Sequence, residues 1–536
     1  MTGTATPRTP RHESGPRPGG RGAALIGAGI LLSRLLGLVR QRLFAAYLGV
    51  SDAADVFTAA FRIPNFLQNL FGEGVLSASF VPVYARLHER GDDASRREVA
   101  GVVLSLLLLV TSVVVLVGIL AAPWVTRVFV PGYGGEKYVL AVRLVRILFP
   151  GAALLVLAAW SLGVLNAHRR FFLAYASAAF WNVAMIATLL VFGPTRGENE
   201  LVVLLAWGSV AGSLLQFGVQ IPRVLRLLGG LPVRLRSGSG EVATVVRNFV
   251  PVFVGRGVAQ ISGLVDTVIA SLLGTGAQAT LGYAQMLYML PVSLFGMSVS
   301  ASELTEMSRI TGTESEAARL LRDRTEAGLR RIAFFVVPSA VAFIAVGDQI
   351  AEMIYGTGRF GPEEARWVWG VLAGASVGLV ASTAARLYAS AFYALRDPRT
   401  PFRFALVRVV LSTSLGALLA LWAPRVLPID PRWSVAGITV ASGLAGWVEY
   451  TLLRRALSRR IGAVALAARV RWTLWGAAAT AAAAAWGARL LNETAPALLR
   501  AVLVLAVFGM VYWVYTWKAG IPEALELRRT IFRRPR

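Results

Sequence analysis

Residues 101–120 read GVVLSLLLLVTSVVVLVGIL, a run without a single charge. A helix rises about 1.5 Å per residue, so a run of about twenty residues crosses a hydrocarbon core of about 30 Å. Outward from this run in both directions, comparable apolar stretches follow almost without pause. They lie at 24–48, 54–84, 99–121, 138–164, 171–193, 201–222, 248–273, 278–302, 332–350, 367–394, 404–423, 433–453, 472–488 and 501–517. The pattern predicts an all-α integral membrane protein of about fourteen transmembrane helices. Composition agrees: the 536 residues are 56% hydrophobic and 15% charged, with mean hydropathy +0.62, where soluble proteins sit near ~25% charged. Pro64, Pro150 and Pro291 fall inside spans and are expected to bend them.

Charge placement tests the topology independently. With the N-terminus inside, 36 of the 54 Lys and Arg residues fall in inner tails and loops, and 9 in outer loops. Cytoplasmic loops of membrane proteins carry such an excess, so both termini are expected in the cytoplasm. The net charge of +25 is then topological, and nucleic acid is the wrong partner to infer from it. The outer loops are short, and the longest inner connection, 303–331, reads as partly helical. No room remains for a soluble catalytic domain, so the chain reads as a transporter and not an enzyme. The absence of cysteine excludes disulfides and thiolate metal sites. His12, His88 and His168 lie in tail or loop segments beside arginines, a poor setting for a metal site, and no cofactor is expected.

A weak repeat organises the spans. Leu48-Gly49, a polar break, Pro64 and Phe71-Gly72 are matched by Leu273-Gly274, a break, Pro291 and Phe295-Gly296. The loops Asn166-Ala167-His168-Arg169-Arg170-Phe171 and Ala394-Leu395-Arg396-Asp397-Pro398-Arg399 match loosely. The expected arrangement is a disordered basic tail (1–22), a six-helix lobe (23–226), a cytoplasmic linker (227–247), a second six-helix lobe (248–460), two additional helices (461–518) and a basic cytoplasmic tail (519–536). Repeated lobes with substrate between them are a recurrent transporter plan.

Ionisable groups within a membrane normally face a cavity or a partner. In the first span Ser33, Arg34, Gly37, Arg40 and Gln41 recur at helical spacing, and Arg34 lies about 16 Å from the inner end. The second span carries Arg62, Asn65, Gln68, Asn69, Gly72 and Glu73 in the same way. Two polar stripes containing arginine predict a wet cationic cavity, suited to a pyrophosphate because arginine stays charged and binds phosphate bidentately. A cavity for cationic drugs should hold carboxylates instead, and a scaffold protein would not need buried arginine. The seventh span adds Arg256 and Asp266. Asp266 either serves a coupling cation or proton, or answers an arginine. Arg143, Arg146, Arg386, Arg408 and Glu449 sit nearer helix ends and read as interfacial or inter-helical.

The ordered string Ser33-Arg34-Leu35-Leu36-Gly37-Leu38-Val39-Arg40, Asp55-Val56-Phe57, Phe61-Arg62-Ile63-Pro64-Asn65, Phe71-Gly72-Glu73-Gly74 and Phe80-Val81-Pro82 resembles the MurJ (MviN) family. This is the lipid II flippase branch of the multidrug/oligosaccharidyl-lipid/polysaccharide exporter superfamily. The resemblance implies movement of undecaprenyl-pyrophosphoryl-MurNAc-pentapeptide-GlcNAc from inner to outer leaflet. It implies, too, pyrophosphate binding by Arg34 and Arg40, a role for Asp55 at the outer start of the second helix, and one for Glu73 in a Glu-Gly signature. Coupling to Na+, to H+ or to membrane potential is implied, with Asp266, Asp397 and Thr413 where a cation site would fall; the alternative for Asp397 is that it caps or braces the loop before the eleventh helix. Membrane lipids and cell-wall synthesis proteins are the other partners implied. The chain departs from the pattern at Gln68 and at Gln285-Met286, where the family often has arginine and Asp-Arg, and at Tyr393, where an amide is expected. Arg256 either compensates as a cavity cation or forms a private ion pair. Another lipid-linked oligosaccharide, or a cation-coupled drug exporter of the same superfamily, are the alternative functions.

Overall fold

Every described segment of regular structure is helical. The computed structural model describes residues 20–230, 240–310, 312–426, 430–492 and 494–531. Most of the expected N-terminal tail, the middle of the inter-lobe linker and the last five residues therefore lie outside the described residues. The helices in chain order are α1 (Gly20–Leu48), α2 (Asp52–Phe71), α3 (Glu73–Ser79), α4 (Val81–Glu89), α5 (Asp93–Leu120), α6 (Ala122–Phe129) and α7 (Gly135–Ala167). There follow α8 (Phe171–Phe192), α9 (Glu198–Leu228), α10 (Gly240–Ser271), α11 (Ala277–Met307), α12 (Glu314–Tyr355) and α13 (Pro362–Ser376). The chain continues through α14 (Leu379–Ala394), α15 (Arg399–Val426), α16 (Ser434–Ile461), α17 (Ala468–Leu491), α18 (Ala497–Lys518) and α19 (Pro522–Ile531).

Starts are set by local chemistry. Ser51 accepts from the Ala54 amide before α2, and Asp92 from the Ser95 amide before α5. Thr313 and Glu316 close a reciprocal capping box at the start of α12. Such caps satisfy amides that a helix leaves unpaired. The expected partly helical 303–331 connection is thus the end of α11 and the first turns of α12.

Among the described residues, eight helices are long and apolar enough to cross a membrane, or nine if α13 and α14, bent by 42° at their junction, form one span. The other five expected spans coincide with α1, α2–α4, α10 and α16, which carry charged residues within them, and with α17, which is rich in alanine and only weakly apolar. α7 is the most enclosed, packing against α2, α5 and α9 with Trp160, Leu144 and Leu165 fully buried. In lipid the drive for such packing is close contact more than loss of water, so small residues mark the seams. Gly151 on α7 approaches Ser213 and Val210 of α9, and Gly378 meets Gly443 of α16 so closely that a Cβ on either would clash.

The repeat appears in the backbone as well as in the sequence. Gly49 and Gly274 both take a left-handed φ, +53° and +92°. Arg169 and Arg396 are the non-glycine residues with positive φ among those described, at +58° and +57°. At one corner the Arg169 amide donates to Asn166 and that of Arg170 to Leu165; at the other Arg396 donates to Tyr393 and Asp397 to Phe392. The spacing of donors and acceptors is the same at both helix ends, a left-handed C-terminal turn.

α17 and α18 pack on each other and against α12. Arg489 pairs with Asp348 at 2.9 Å and Arg500 with Glu352 at 3.1 Å, so the additional helices are held by charge to α12. Within the expected basic C-terminal tail, α19 lies against α12, with Glu523 bound to Arg330 at 2.6 Å. Ile521, Glu523 and Ala524 are buried where it docks.

Candidate substrate cavity

Arg62, Asn65 and Asn69 stand at i, i+3 and i+7 on α2, one face of the helix. That face lines a cavity of about 450 Å³ together with Gln260 and Asp266 of α10 and Gln285 of α11. A neighbouring cavity of about 390 Å³ is lined by Arg40 and Gln41 of α1 with Thr58, Arg62, Asn65, Gln285 and Met286. Arg62, Asn65, Gln285 and Met289 belong to both, which makes one continuous hollow between α1, α2, α10 and α11.

Its cations are fixed differently. Arg62 donates from Nη1 to Thr267 Oγ1 at 3.0 Å, with Asp266 the nearest influential carboxylate. The Arg40 guanidinium lies 4.7 Å from the Trp181 ring centroid, and its Nε is buried without a hydrogen-bond partner. A buried guanidinium with a donor to spare is what an oxyanion completes. The amides of Asn65, Asn69, Gln260 and Gln285 add neutral donors and acceptors around it.

Other expected residues fall elsewhere. Arg34 is exposed at the middle of α1, outside this hollow, and no ion pair is found for it among the described residues. Gln68 lends its carbonyl to the Gly72 amide at 2.7 Å, where α2 breaks into α3. Arg256 is exposed as well. Its guanidinium lies over Gly74, where any Cβ would collide with it, beside Glu73, whose charge it moderates. Neither form of the Arg256 expectation is met: it is outside the hollow, and no ion pair within 4 Å involves it among the described residues.

The three candidate coupling residues do not gather. Asp266 and Thr413 each lie one turn below the contact of Ile269 with Gly416, so they share a level on adjacent helices. Asp397 is at the inner end of α15, and the fourteen residues from Arg399 to Thr413 span about 21 Å. Its carboxylate is occupied by the Arg399 and Thr400 amides, the Thr400 hydroxyl and Arg460 at 2.7 Å. Those bonds, the Thr400 hydroxyl first, hold it below the usual carboxylate range. Asp397 braces a loop, as its position before a helix favours.

The contact that sequence reasoning missed lies at the expected outer end. Asp55 is fully buried, and accepts from the Gly276 amide at 2.7 Å, the Ala279 amide at 2.9 Å and Lys137 Nζ at 3.1 Å. Asp52 beside it accepts from Lys137 at 2.5 Å and from Thr275 Oγ1 at 2.8 Å. A carboxylate of α2 thereby caps α11 and ties both to the start of α7. The scarcity of outer cations could have singled out Lys137; its acceptor could not be read locally.

At the inner corner after α7, burial first, then the nearby His88, Arg96 and Arg170, pushes the His168 imidazole down to about 4. The neutral ring can accept from the Tyr84 hydroxyl at 3.0 Å. A depressed histidine makes the unfolded chain the better proton acceptor between about 4 and 6.5, so its stability contribution is lost on acidification through that window. Thermal unfolding at pH 7 and pH 5 should show His168→Asn less acid-sensitive than the parent chain. Equal sensitivity would remove His168 from the account.

A family model described as Lipid II flippase MurJ matches residues 44–511. A probable lipid II flippase MurJ of Rhizobium meliloti (strain 1021) is 30% identical over 536 residues, covering 95% of this chain and 96% of that protein. The lipid II flippase MurJ of Burkholderia cenocepacia is 32% identical over 442 residues, covering 80% and 82%. Among solved structures, a lipid II flippase MurJ in an inward closed conformation superposes with TM-score 0.75 at 22% identity, covering 92% of this chain and 98% of that one. An inward-facing multidrug resistance transporter of the MATE family gives TM-score 0.62 at 17% identity, covering 82% and 98%. At these identities the structural matches speak to the fold.

Proposed function

Because this chain belongs to the lipid II flippase MurJ family, we propose that it moves undecaprenyl-pyrophosphate-linked disaccharide-pentapeptide from the inner to the outer leaflet of the bacterial cytoplasmic membrane. The observation that carries the reading is the hollow in which Arg40 and Arg62 meet five side-chain amides. Arginine forks there match the two phosphates of the cargo, and the prenyl chain stays in the bilayer, where its burial costs nothing. Arg34, exposed further in along α1, is a first contact for the same diphosphate.

The architecture proposed is fourteen spans in two six-helix lobes, 23–226 and 248–460, with the α17–α18 pair added and both termini inside. The matching corners at Arg169 and Arg396 and the inner excess of positive charge support it. Asp55 with Lys137 and the start of α11 forms the outer closure, and the lobes rock to open it. Asp266, level with Thr413 and near Arg62, is the group through which Na+, H+ or membrane potential is coupled. Cell-wall synthesis proteins remain the proposed neighbours at the membrane.

Expression in a bacterium depleted of its own lipid II flippase should restore growth and surface exposure of lipid II. Failure to restore either, with the chain correctly inserted, would overturn the reading. Gln285 and Met286, both facing the hollow, favour a second reading, a different glycan on the same diphosphate. In that case the chain binds prenyl-diphosphate lipids through Arg40 and Arg62 yet does not complement.

A further inference from the structure

We infer that the outer face carries a separate saccharide-binding site, built on Trp367 and Trp433. This rests on the transport reading for the identity of its ligand. A cavity of about 490 Å³ lies there between the start of α13, the 274–276 turn and residues 430–433, away from the central hollow. Two indoles line it. Trp367 is held by its Nε1, which donates to the Arg432 carbonyl at 2.6 Å. Trp433 lies with its ring over Gly370, where a Cβ would collide, and remains 39% exposed. Fixed indoles with open faces are platforms for the C–H face of a pyranose ring, which gives up little hydration there.

The polar rim fits the rest of a sugar. Glu363 and Arg432 pair at 2.5 Å while their side chains stay 74% and 61% exposed. An exposed carboxylate beside an exposed guanidinium offers acceptors and donors side by side, which adjacent hydroxyls or an acetamido group can bridge. The other two acids are committed: Glu364 accepts from the Gly361 amide and Asp430 from that of Arg432. The rim is therefore ill-suited to a metal ion, whose ligands would have to be taken from caps. Its mixture of charge and indole equally disfavours an acyl chain. The proposed cargo carries N-acetylated hexosamines and leaves on this side, so the ligand class is an N-acetylhexosamine saccharide.

Position gives the site a consequence. The Trp367 ring also lies against Gly276, where a Cβ would be 2.6 Å from it, and the Gly276 amide is one of those held by Asp55. A sugar seated on Trp367 thus touches the outer closure itself.

The test is titration of the full chain in lipid nanodiscs with di-N-acetylchitobiose, by calorimetry or saturation-transfer NMR. Saturable binding is expected, at least tenfold weaker in Trp433→Ala and several-fold weaker in Glu363→Gln, an exposed change that spares the fold. Prenyl-diphosphate binding should be unchanged in both, and thermal unfolding checks their integrity. No saturable binding to the parent chain, or binding within twofold of parent in both variants, overturns the inference. A chain that flips lipid II but does not take up chitobiose overturns this site alone. Trp433-dependent sugar binding without flipping supports the site and sinks the transport reading.

Discussion

Asp55→Ala is expected to leave the protein inserted but unable to keep its outer end shut, with flipping reduced about a hundredfold. The carboxylate is fully buried and holds two backbone amides and the Lys137 ammonium. Each buried donor left without its acceptor costs about 1–3 kcal/mol. Lys137 keeps Asp52 as an acceptor, so the two amides carry the cost, about 2–6 kcal/mol together, or about one and a half to four decades in the closed-to-open ratio. A transporter that cannot close one side cannot complete its cycle. The chain has no cysteine, so a single Ala277→Cys at a fully buried outer position reports closure directly. An impermeant thiol reagent added outside should label it in the Asp55→Ala background and not in the parent. Equal labelling in both would show that Asp55 is no latch.

The second large effect is expected from Arg62→Ala, which should abolish measurable flipping while expression and insertion persist. Arg62 is the cation common to both halves of the hollow. Lysine should rescue poorly, because a point charge replaces a planar fork anchored on Thr267. The competing explanation is that Arg62 merely neutralises Asp266. The double change Arg62→Ala with Asp266→Asn separates the two: recovery of flipping would make Arg62 a counter-ion, and continued loss keeps it on the substrate.

What could be read beforehand follows from the range of the interactions. Charges inside apolar runs stand out one residue at a time: helical spacing put Arg40, Arg62, Asn65 and Asn69 on polar stripes, ionisability singled out Asp266, and all five line the hollow. Helices were legible for the same reason, apart from α19, whose apolar face is only a few residues wide. Long-range pairings were not legible. The donors to Asp55 lie 82 to 224 residues away, and nothing local marks them. Arg256 shows the opposite failure. Depth along a helix suggested a cavity, but direction around the axis lays the side chain on Gly74. For Asp397 the sequence left a cation site and a loop brace open, because proximity to α15 says nothing about the roughly 21 Å between the start of that helix and Thr413.

The paired corners bear on the ancestry of the chain. Gly49 and Gly274 are 225 residues apart, and Arg169 and Arg396 are 227 apart. Backbone turns recurring at nearly one spacing are what duplication of one half would leave. Laid over each other at an offset of about 226, the halves place Arg40 of α1 on Asp266 of α10. Equivalent positions thus bear opposite signs. In the proposed transport cycle, cargo and driving force would then be served by corresponding positions of opposite charge, a division of labour written as a broken symmetry.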